Sequence, residues 1–313
     1  MKAKPLIIST DPGIDDAAAV TICLFAQELD VRLLVPTWGN VALNKTLRNT
    51  LQLETFLGTH IPVVAGSRRP LVRDSISAAD VHGKSGLDGW TFPEPDQRLL
   101  KSGIAVDAIH RVISQSTEKV TLMAIGPLTD LSLFIHQYPE DLSSIDRIVI
   151  MGGAIGRGNY SPLAEYNFAA DPEAARIVFN SSLPIQVAPL EIAAQARILA
   201  STSQRIKALG PVGQMMYQLF DHLHDGTIAR GLEIYDALAA GLLLDPEMFT
   251  LTPAHVEIET SSQRTYGASV IDFDEEAKPW NAEIATKIDA DSFASWFYKR
   301  LADAERKAVI KKD

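Results

Sequence analysis

Three carboxylates lie close together near the start of the chain. Asp11, Asp15 and Asp16 fall within six residues and follow the apolar run 6–8, with a Pro-Gly pair directly after the first of them. Like charges a few ångströms apart raise one another's pKa, and a helix N-terminus stabilises a carboxylate by only about 0.3–1 kcal/mol. A divalent cation would balance this charge, so the spacing indicates a metal site built from carboxylate oxygens.

The two adjacent aspartates are expected to have different tasks. Consecutive residues of a helix point about 100° apart, so Asp15 and Asp16 cannot easily face the same point. One of them would chelate the cation while the other faces a substrate hydroxyl. The alternative is an N-terminal helix cap with acidic first-turn residues, which explains one carboxylate but not three.

The elements that must hold these residues follow a repeated pattern. Short apolar runs without alternation lead into Gly-rich or polar turns and then into helical patterns, the first two at 14–29 and 43–57. Such runs are typical of strands buried on both faces of a parallel sheet. The runs are 6–8, 31–35, 120–125, 148–151 and 185–188. We therefore predict an α/β fold, a single-domain doubly wound, mostly parallel sheet with helices on both faces, and a ligand site at the carboxyl ends of the strands.

Composition narrows the class of protein. The 313 residues contain no repeat or low-complexity linker, which predicts one domain over 1–313. The net charge of −10 disfavours nucleic-acid and anionic-membrane partners. The single cysteine, Cys23, excludes an internal disulfide and a cysteine-based zinc site. The most apolar run, 17–26, is shorter than the roughly 20 residues that span a bilayer. We expect a soluble protein of the cytoplasm.

The acidic turn 11–16 resembles the signature of the inosine–uridine nucleoside hydrolases. The resemblance continues, in the family's order and spacing, to about residue 247. The further motifs are 38–40, 81–89, 126–130, 151–154, 158–159, 164–167 and 171–175. It implies hydrolysis of the N-glycosidic bond of ribonucleosides to ribose and free base, the nucleoside hydrolase fold, and a tightly held Ca²⁺.

The resemblance also implies a set of metal ligands. Asp11 would be a ligand and the general base for the attacking water, and Asp16 would chelate Ca²⁺. Ile125 would bind through its main-chain carbonyl, and Asp236 matches the distal aspartate ligand. These are hard oxygen donors, and a water and the ribose cis-diol would bring the total to about eight, which suits Ca²⁺ better than Mg²⁺. On its own, Asp236 would equally suit a helix cap.

Five polar residues match positions that bind the ribose hydroxyls. They are Asp15, Asn40, Asn159, Glu165 and Asn167. Fixing the sugar's hydroxyls allows binding energy to distort it toward the oxocarbenium-like transition state. Both Asn40 and Asn159 follow glycines and would also suit ordinary turns.

The leaving-group side departs from the family pattern. Tyr235 precedes Asp236 where many members carry a histidine that helps the base to depart, and Ser9 stands where the family usually has an aspartate. A tyrosine with a pKa near 10 is a poorer proton source at neutral pH, although it could stack on the base. His82, in a glycine-flanked loop, is the other catalytic candidate. The polar segments 68–98 and 221–233 are expected to form mobile flaps over the pocket.

These observations lead to a specific expectation with two rivals. The stretches 86–89 and 92–95 are most similar to the pyrimidine-preferring bacterial branch. Uridine and cytidine are therefore expected to be better substrates than inosine, and the family implies a homodimer or homotetramer.

A phosphohydrolase with an aspartyl nucleophile would need a second aspartate where Gly13 stands. A catalytically weak or silent ribose- or nucleoside-binding protein on the same scaffold remains the main alternative.

Overall fold

One twisted sheet of eight strands organises the part of the chain that the structure describes. The structure is a computed structural model, and it describes residues 2–223, 227–274, 276 and 278–310. The strands are β1 (Lys4–Thr10), β2 (Leu29–Pro36), β3 (Val120–Ala124), β4 (Ile145–Met151), β5 (Ile185–Ala188), β6 (Phe249–Ile258), β7 (Ser269–Asp272) and β8 (Ala282–Ile288).

The strand order is β2-β1-β3-β4-β5-β8-β6-β7. Strands β1 to β5 and β8 pair in parallel, whereas β6 runs antiparallel to both of its neighbours. The chain leaves β1 toward β2 and then returns to the other side of β1 to form β3. Such a reversal opens a crevice at the carboxyl ends of the two flanking strands. Asp11 directly follows β1, and Ile125 directly follows β3.

Helices cover both faces of this sheet. The α-helices of the described chain are α1 (Ile14–Phe25), α2 (Leu43–Leu57), α3 (Ala79–His82), α4 (Ala105–Ser114), α5 (Thr129–Gln137), α6 (Tyr166–Ala170), α7 (Pro172–Phe179), α8 (Leu190–Gln195), α9 (Ala200–Lys207), α10 (Pro211–His222), α11 (Asp236–Leu244) and α12 (Ala290–Lys307). Short 3₁₀ helices span Gln97–Leu99, Pro139–Ser144, Thr227–Arg230 and Pro246–Met248. Along β1, Leu6 and Ile8 belong to one apolar core and Ile7 to the other. The predicted α/β class is confirmed.

Two helices that carry acidic residues at their N-termini contact each other directly. Helices α1 and α11 pack side by side on one face of the sheet. Both are rich in fully buried alanines, with 17–19 in the first helix and 237, 239 and 240 in the second. Small side chains allow two helices to approach closely, and this contact brings the two N-termini to the same crevice.

The structure differs from the sequence-based elements in two places. The helical pattern expected over 14–29 ends at Phe25, because β2 begins at Leu29 and the chain must turn before it. The strands β6, β7 and β8 and the long helix α12 were not anticipated. Among the described helices, none is both long and apolar enough to cross a membrane.

The segment 68–98 is partly anchored to the fold. Its middle forms the short helix α3, and its second half packs on α2 through aromatic contacts. The ring centroid of Phe56 lies 5.8 Å from that of Trp90 and 6.0 Å from that of Phe92. In the segment 221–233, residues 224–226 lie outside the described residues. Flap motion in either segment stays a prediction.

Candidate active site

Carboxylates from two helix N-termini meet at the carboxyl edge of the sheet. Asp15 and Asp16 lie in the first turn of α1, and Asp236 is the first residue of α11. All three are buried, and each offers an oxygen that lies within 4.8 Å of those of the others. The positive ends of two helix dipoles therefore point at one acidic cluster. This cluster could hold a metal ion.

Asp16 is held in place by four hydrogen bonds. Its Oδ1 accepts from Thr10 Oγ1 at 2.6 Å and from the Asp11 backbone N–H at 3.2 Å. Its Oδ2 accepts from the Gly13 backbone N–H at 2.9 Å and from Asn40 Nδ2 at 3.2 Å. The bond to Gly13 is a helix-capping contact. The capping interpretation therefore describes part of what Asp16 does, but it leaves the neighbouring carboxylates unexplained.

Asp11 has one oxygen bonded and one oxygen free. Its Oδ2 accepts from the Asn40 backbone N–H at 2.6 Å, whereas Oδ1 is buried without a hydrogen-bond partner among the described residues. Two glycines make room for this carboxylate. A Cβ at Gly126 would lie 2.3 Å from Oδ1, and a Cβ at Gly39 would lie 2.0 Å from Oδ2. A buried acceptor without a donor is costly unless a ligand or cation completes it, so Oδ1 fits a metal or water site.

Burial makes this cluster hard to ionise without a counter-charge. Desolvation, reinforced by the charge of Asp16, raises the pKa of Asp11 well above its ordinary value. Desolvation and the charge of Asp15 likewise raise the pKa values of Asp16 and Asp236. Burial raises the pKa of Asp15 to about 6, although backbone N–H groups, including that of Tyr235, oppose the shift. Four buried carboxylates that disfavour ionisation are what a hard divalent cation would stabilise.

Asp15 occupies a position that we did not anticipate. The helical angle predicted that it would face away from Asp16, yet it contributes an oxygen to the same group of three. It also lines the cavity beside the cluster. With two carboxylate oxygens, it borders both the acidic cluster and the space for a substrate.

The cavity above the cluster has a volume of about 420 Å³. It collects most of the residues that the sequence assigned to the site, and Asp11 and Asp16 lie directly beneath it. The predicted residues that line it are Asp15, Asn40, His82, Ile125, Asn159, Glu165, Asn167, Tyr235 and Asp236. Sequence reasoning did not select Met151, Tyr160, Tyr166, Leu223 and Glu233, which line it as well. Of these, Met151 stands inside the recognised motif 151–154 and Tyr166 inside 164–167, and these motifs were the available signals.

The side chains of Asn40 and Asn167 donate hydrogen bonds to main-chain carbonyls at the ends of strands. Asn40 Nδ2 donates to the Asp11 carbonyl at 3.1 Å, so its Oδ1 remains for other partners. Asn167 Nδ2 donates to the carbonyls of Ile125 and Met151, each at 3.2 Å. The Ile125 carbonyl thus lies at the pocket wall with one donor already on it, and its second lone pair is free to bind another group.

Glu165 and Asn159 differ in how firmly they are held. Glu165 caps α6 and accepts from the backbone N–H groups of Gly153 at 2.9 Å and Asn167 at 2.9 Å. Burial raises its pKa to about 7. Asn159 is exposed at the rim, where its Oδ1 accepts from the Tyr166 backbone N–H at 2.9 Å. Glu165 is therefore part of the rigid wall, and Asn159 belongs to the mouth.

Two protic aromatic groups also line the cavity. His82 is 8% exposed, and its Nδ1 accepts from the Ile14 backbone N–H at 3.2 Å. A neutral ring with Nδ1 as acceptor carries its hydrogen on Nε2. Desolvation lowers the pKa of His82, which favours this neutral form. The Tyr235 hydroxyl donates to Glu233 Oε2 at 2.6 Å.

The departure at Ser9 has a visible structural result. The Ser9 side chain is buried on β1, and its hydroxyl has no hydrogen-bond partner within the described chain. Its backbone carbonyl accepts from the Ile125 N–H at 3.0 Å and so joins β1 to the end of β3. The neighbouring Thr10 supplies the hydroxyl that reaches Asp16.

A doubly wound sheet whose switch-point crevice holds this acidic cluster and a polar pocket agrees with a nucleoside hydrolase. The chain belongs to the family described as inosine-uridine preferring nucleoside hydrolase, whose model matches residues 6–295. It is therefore an enzyme of that family, as the sequence resemblance predicted.

Individual relatives cover nearly the whole chain. It is 43% identical over 299 residues to the non-specific ribonucleoside hydrolase RihC of Klebsiella pneumoniae, covering 95% of this chain and 98% of that one. It is 41% identical over 300 residues to the RihC of Salmonella typhimurium, covering 96% and 98%. Among solved structures, it resembles a purine-preferring ribonucleoside hydrolase from Gardnerella vaginalis (TM-score 0.90, 25% identity, 97% and 100% covered). A plant nucleoside hydrolase, PpNRh1, is also similar (TM-score 0.88, 28% identity, 96% and 99% covered).

Proposed function

We propose that the protein hydrolyses the N-glycosidic bond of ribonucleosides to ribose and free base, and that it depends on Ca²⁺. The observation that carries this proposal is the meeting of Asp15, Asp16 and Asp236 at the floor of a polar cavity, next to the unpartnered Oδ1 of Asp11. The family membership and the relatives named as ribonucleoside hydrolases support the same reaction.

The residues present fit a hard cation. Asp11, Asp16, Asp236 and the Ile125 carbonyl would hold it, and Asp15 lies close enough to share it. All these donors are oxygen, and water and two sugar hydroxyls would fill the rest of a calcium shell. When bound, the cation would supply the positive charge that attracts the vicinal ribose hydroxyls and acidifies a water molecule.

The chain's own residues perform the remaining steps. Asp11 Oδ1, which has no donor among the described residues, takes the proton of the attacking water as general base. Asp15, Asn40, Asn159, Glu165 and Asn167 hold the ribose hydroxyls. Contacts that tighten as the sugar flattens toward an oxocarbenium ion lower the barrier, because they are strongest in the transition state.

We assign help for the departing base to His82. Its Nδ1 is occupied by the Ile14 N–H, so the neutral ring turns Nε2–H toward the cavity that it lines. A hydrogen bond from Nε2 would stabilise the negative charge that develops on the base as the bond breaks. The Tyr235 hydrogen already goes to Glu233 and is not available for this task.

Base preference is the finer part of the proposal. The sequence predicted uridine and cytidine above inosine, whereas the RihC relatives are named as non-specific. We therefore propose a preference in rate for pyrimidine ribonucleosides, with purine ribonucleosides also cleaved. A cytoplasmic location and a homodimer or homotetramer stay predictions, and light scattering on the purified protein tests the second.

The deciding experiment measures ribose release from uridine, cytidine and inosine by purified protein with Ca²⁺. We expect turnover of all three, fastest with a pyrimidine nucleoside. If a ribose-like ligand binds but no nucleoside releases its base, the protein is the silent binding module instead. A clear preference for inosine would contradict only the proposed preference for pyrimidine ribonucleosides.

A further inference from the structure

Three side chains form a hydrogen-bonded relay at the wall of the cavity. The Tyr235 hydroxyl donates to Glu233 Oε2 at 2.6 Å. Arg197 Nη2 donates to the other carboxylate oxygen, Oε1. Both Glu233 and Tyr235 line the cavity, while Arg197 lies behind them and is half-exposed. We call this set the Arg197–Glu233–Tyr235 relay.

Backbone pairing between two segments places the side chains of this relay next to each other. Ile198 and Leu232 form an antiparallel bridge, with N–H···O distances of 2.9 Å in both directions. The next pair along such a bridge is Arg197 opposite Glu233, so the two side chains are neighbours. Gly231, with φ of +87°, leaves room for this approach, since a Cβ there would lie 3.1 Å from Arg197 Cβ.

The relay fixes the direction of the tyrosine hydrogen bond. A phenol has a single hydrogen, and an ionised carboxylate can only accept. Arg197 can only donate hydrogen bonds, so its partner Glu233 must accept from it. Both carboxylate oxygens of Glu233 therefore act as acceptors, one toward Arg197 and one toward Tyr235. The Tyr235 oxygen is then left with its lone pairs, so it can accept a hydrogen bond from a group in the cavity but cannot donate one.

We propose that the relay holds Tyr235 as an acceptor that recognises an N–H group of the nucleobase. Tyr235 is then a specificity-determining contact, and Glu233 and Arg197 are positioning residues that set its polarity. The inference rests on the proposed function and names a feature of its substrates, which are bases that present an N–H donor to this wall. Uracil and hypoxanthine each present one.

Uridine provides a direct probe, because its base has one N–H, at N3. Methylation at N3 removes that donor. The measurement is the ratio of kcat/KM for uridine to that for 3-methyluridine, in the wild type and in Tyr235→Phe. Tyr235→Phe also removes the oxygen that the added methyl group would meet, so the difference between these two ratios contains both the hydrogen bond and a relief of crowding, and a second variant that keeps the oxygen separates the two. We expect the wild-type ratio to be about 3- to 10-fold larger, mainly through KM.

Glu233→Gln tests the polarity of the relay. The glutamine carbonyl must face Arg197, which can only donate, and its NH₂ then faces Tyr235. This reversal frees the tyrosine hydrogen to point into the cavity while the tyrosine oxygen stays in place, so we expect the ratio to fall below the wild-type value without any relief of crowding. Glu257→Gln, which alters an exposed carboxylate on β6, should keep the wild-type ratio.

The outcomes separate cleanly. Equal ratios in the wild type and Tyr235→Phe overturn the inference, as does a wild-type ratio in Glu233→Gln. A loss of about 100-fold in kcat at unchanged KM in Tyr235→Phe would make Tyr235 the proton donor and also overturn it. Each ratio compares two substrates on one preparation, so partial unfolding cancels. A wild type that releases ribose from no nucleoside refutes the proposed function itself, which is a different result from equal ratios in an active enzyme.

Discussion

Two groups of cavity residues are built in different ways. The floor consists of Asp11, Asp16 and Asp236, which stand at strand ends or helix N-termini and are almost completely buried. The proposed base contacts, which we call the base end, are His82 from the four-residue helix α3 and Tyr235 at the N-cap of α11. The floor is positioned by the ends of regular elements, whereas the Tyr235 hydroxyl is positioned by a side-chain relay that includes the half-exposed Arg197.

Under the proposed function, this difference would allow one scaffold to act on several nucleosides. Binding of a sugar and a cation requires positions accurate to a fraction of an ångström, which the switch point of a sheet can provide. The base differs between substrates, and loops tolerate changes in side chains better than strands do. Substitutions at the floor should therefore affect every substrate, and substitutions at the base end should affect substrates unequally.

Removal of divalent cations should have the largest effect. Without a cation, the acidic cluster has no counter-charge, so we expect EDTA to abolish activity on uridine and inosine alike and Ca²⁺ to restore it better than Mg²⁺. The melting temperature should rise on adding Ca²⁺, because a ligand that binds only the folded state stabilises it. Full activity after exhaustive dialysis against chelator would contradict a metal-dependent floor.

Asp11→Asn should cause the second largest loss of activity. If Asp11 is the general base that we propose, its loss should lower kcat by about 10²–10⁴-fold for every nucleoside, because the amide cannot take a proton from water. The fold should persist, since the pKa of Asp11 is raised by burial and its charge is costly there. Circular dichroism checks the fold, and Asp291→Asn, an exposed aspartate on α12, is the matched control. Activity within tenfold of wild type would remove Asp11 from the mechanism.

His82→Ala should give a smaller and substrate-dependent loss. We expect kcat to fall by about 100-fold for the nucleoside whose base most needs stabilisation, with little change in the affinity for a ribose analogue. Steady-state kinetics on uridine, cytidine and inosine measure this, with the exposed His60→Ala as control. An equal loss for all three substrates would place His82 with the floor and weaken the comparison between the floor and the base end.

The pH dependence of stability should show the smallest effect. In the metal-free protein the folded state holds its protons more tightly, because burial raises the pKa of Asp15 to about 6 and that of Glu165 to about 7. Stability is then complete below the ordinary carboxyl pKa near 4 and falls as the pH rises through 6 to 7. We expect a lower melting temperature at pH 8 than at pH 5, and a larger Ca²⁺ stabilisation at pH 8. A metal-free melting temperature that rises over this range would be the contrary result.

The floor could be anticipated from the sequence, because its signals are local. The turn 11–16 follows an apolar run, and parallel strands bring their carboxyl ends to one edge, so the order of strands and turns is enough to place Asp11 near Ile125. Asp236 needed the family motif, since nothing local distinguishes it from a helix cap.

The rest depends on contacts between distant residues. The Arg197–Glu233–Tyr235 relay exists because Ile198 pairs with Leu232 across more than thirty residues, and no periodicity reports such a bridge. The ideal helical angle separates Asp15 from Asp16, but the approach of α11 brings Asp236 to both of them. The antiparallel strand β6 mixes buried, half-buried and exposed residues, and β7 has only half-buried and exposed ones, so both lack the continuous apolar signal of the central strands.

The packing of α1 against α11 has a consequence for ion choice. Asp16 and Asp236 lie in the first turns of these two helices, so the distance between their carboxylates depends on how far apart the helices lie. A substitution that pushed the two helices apart would widen the group of carboxylates. The protein would then be expected to favour a larger divalent cation over a smaller one.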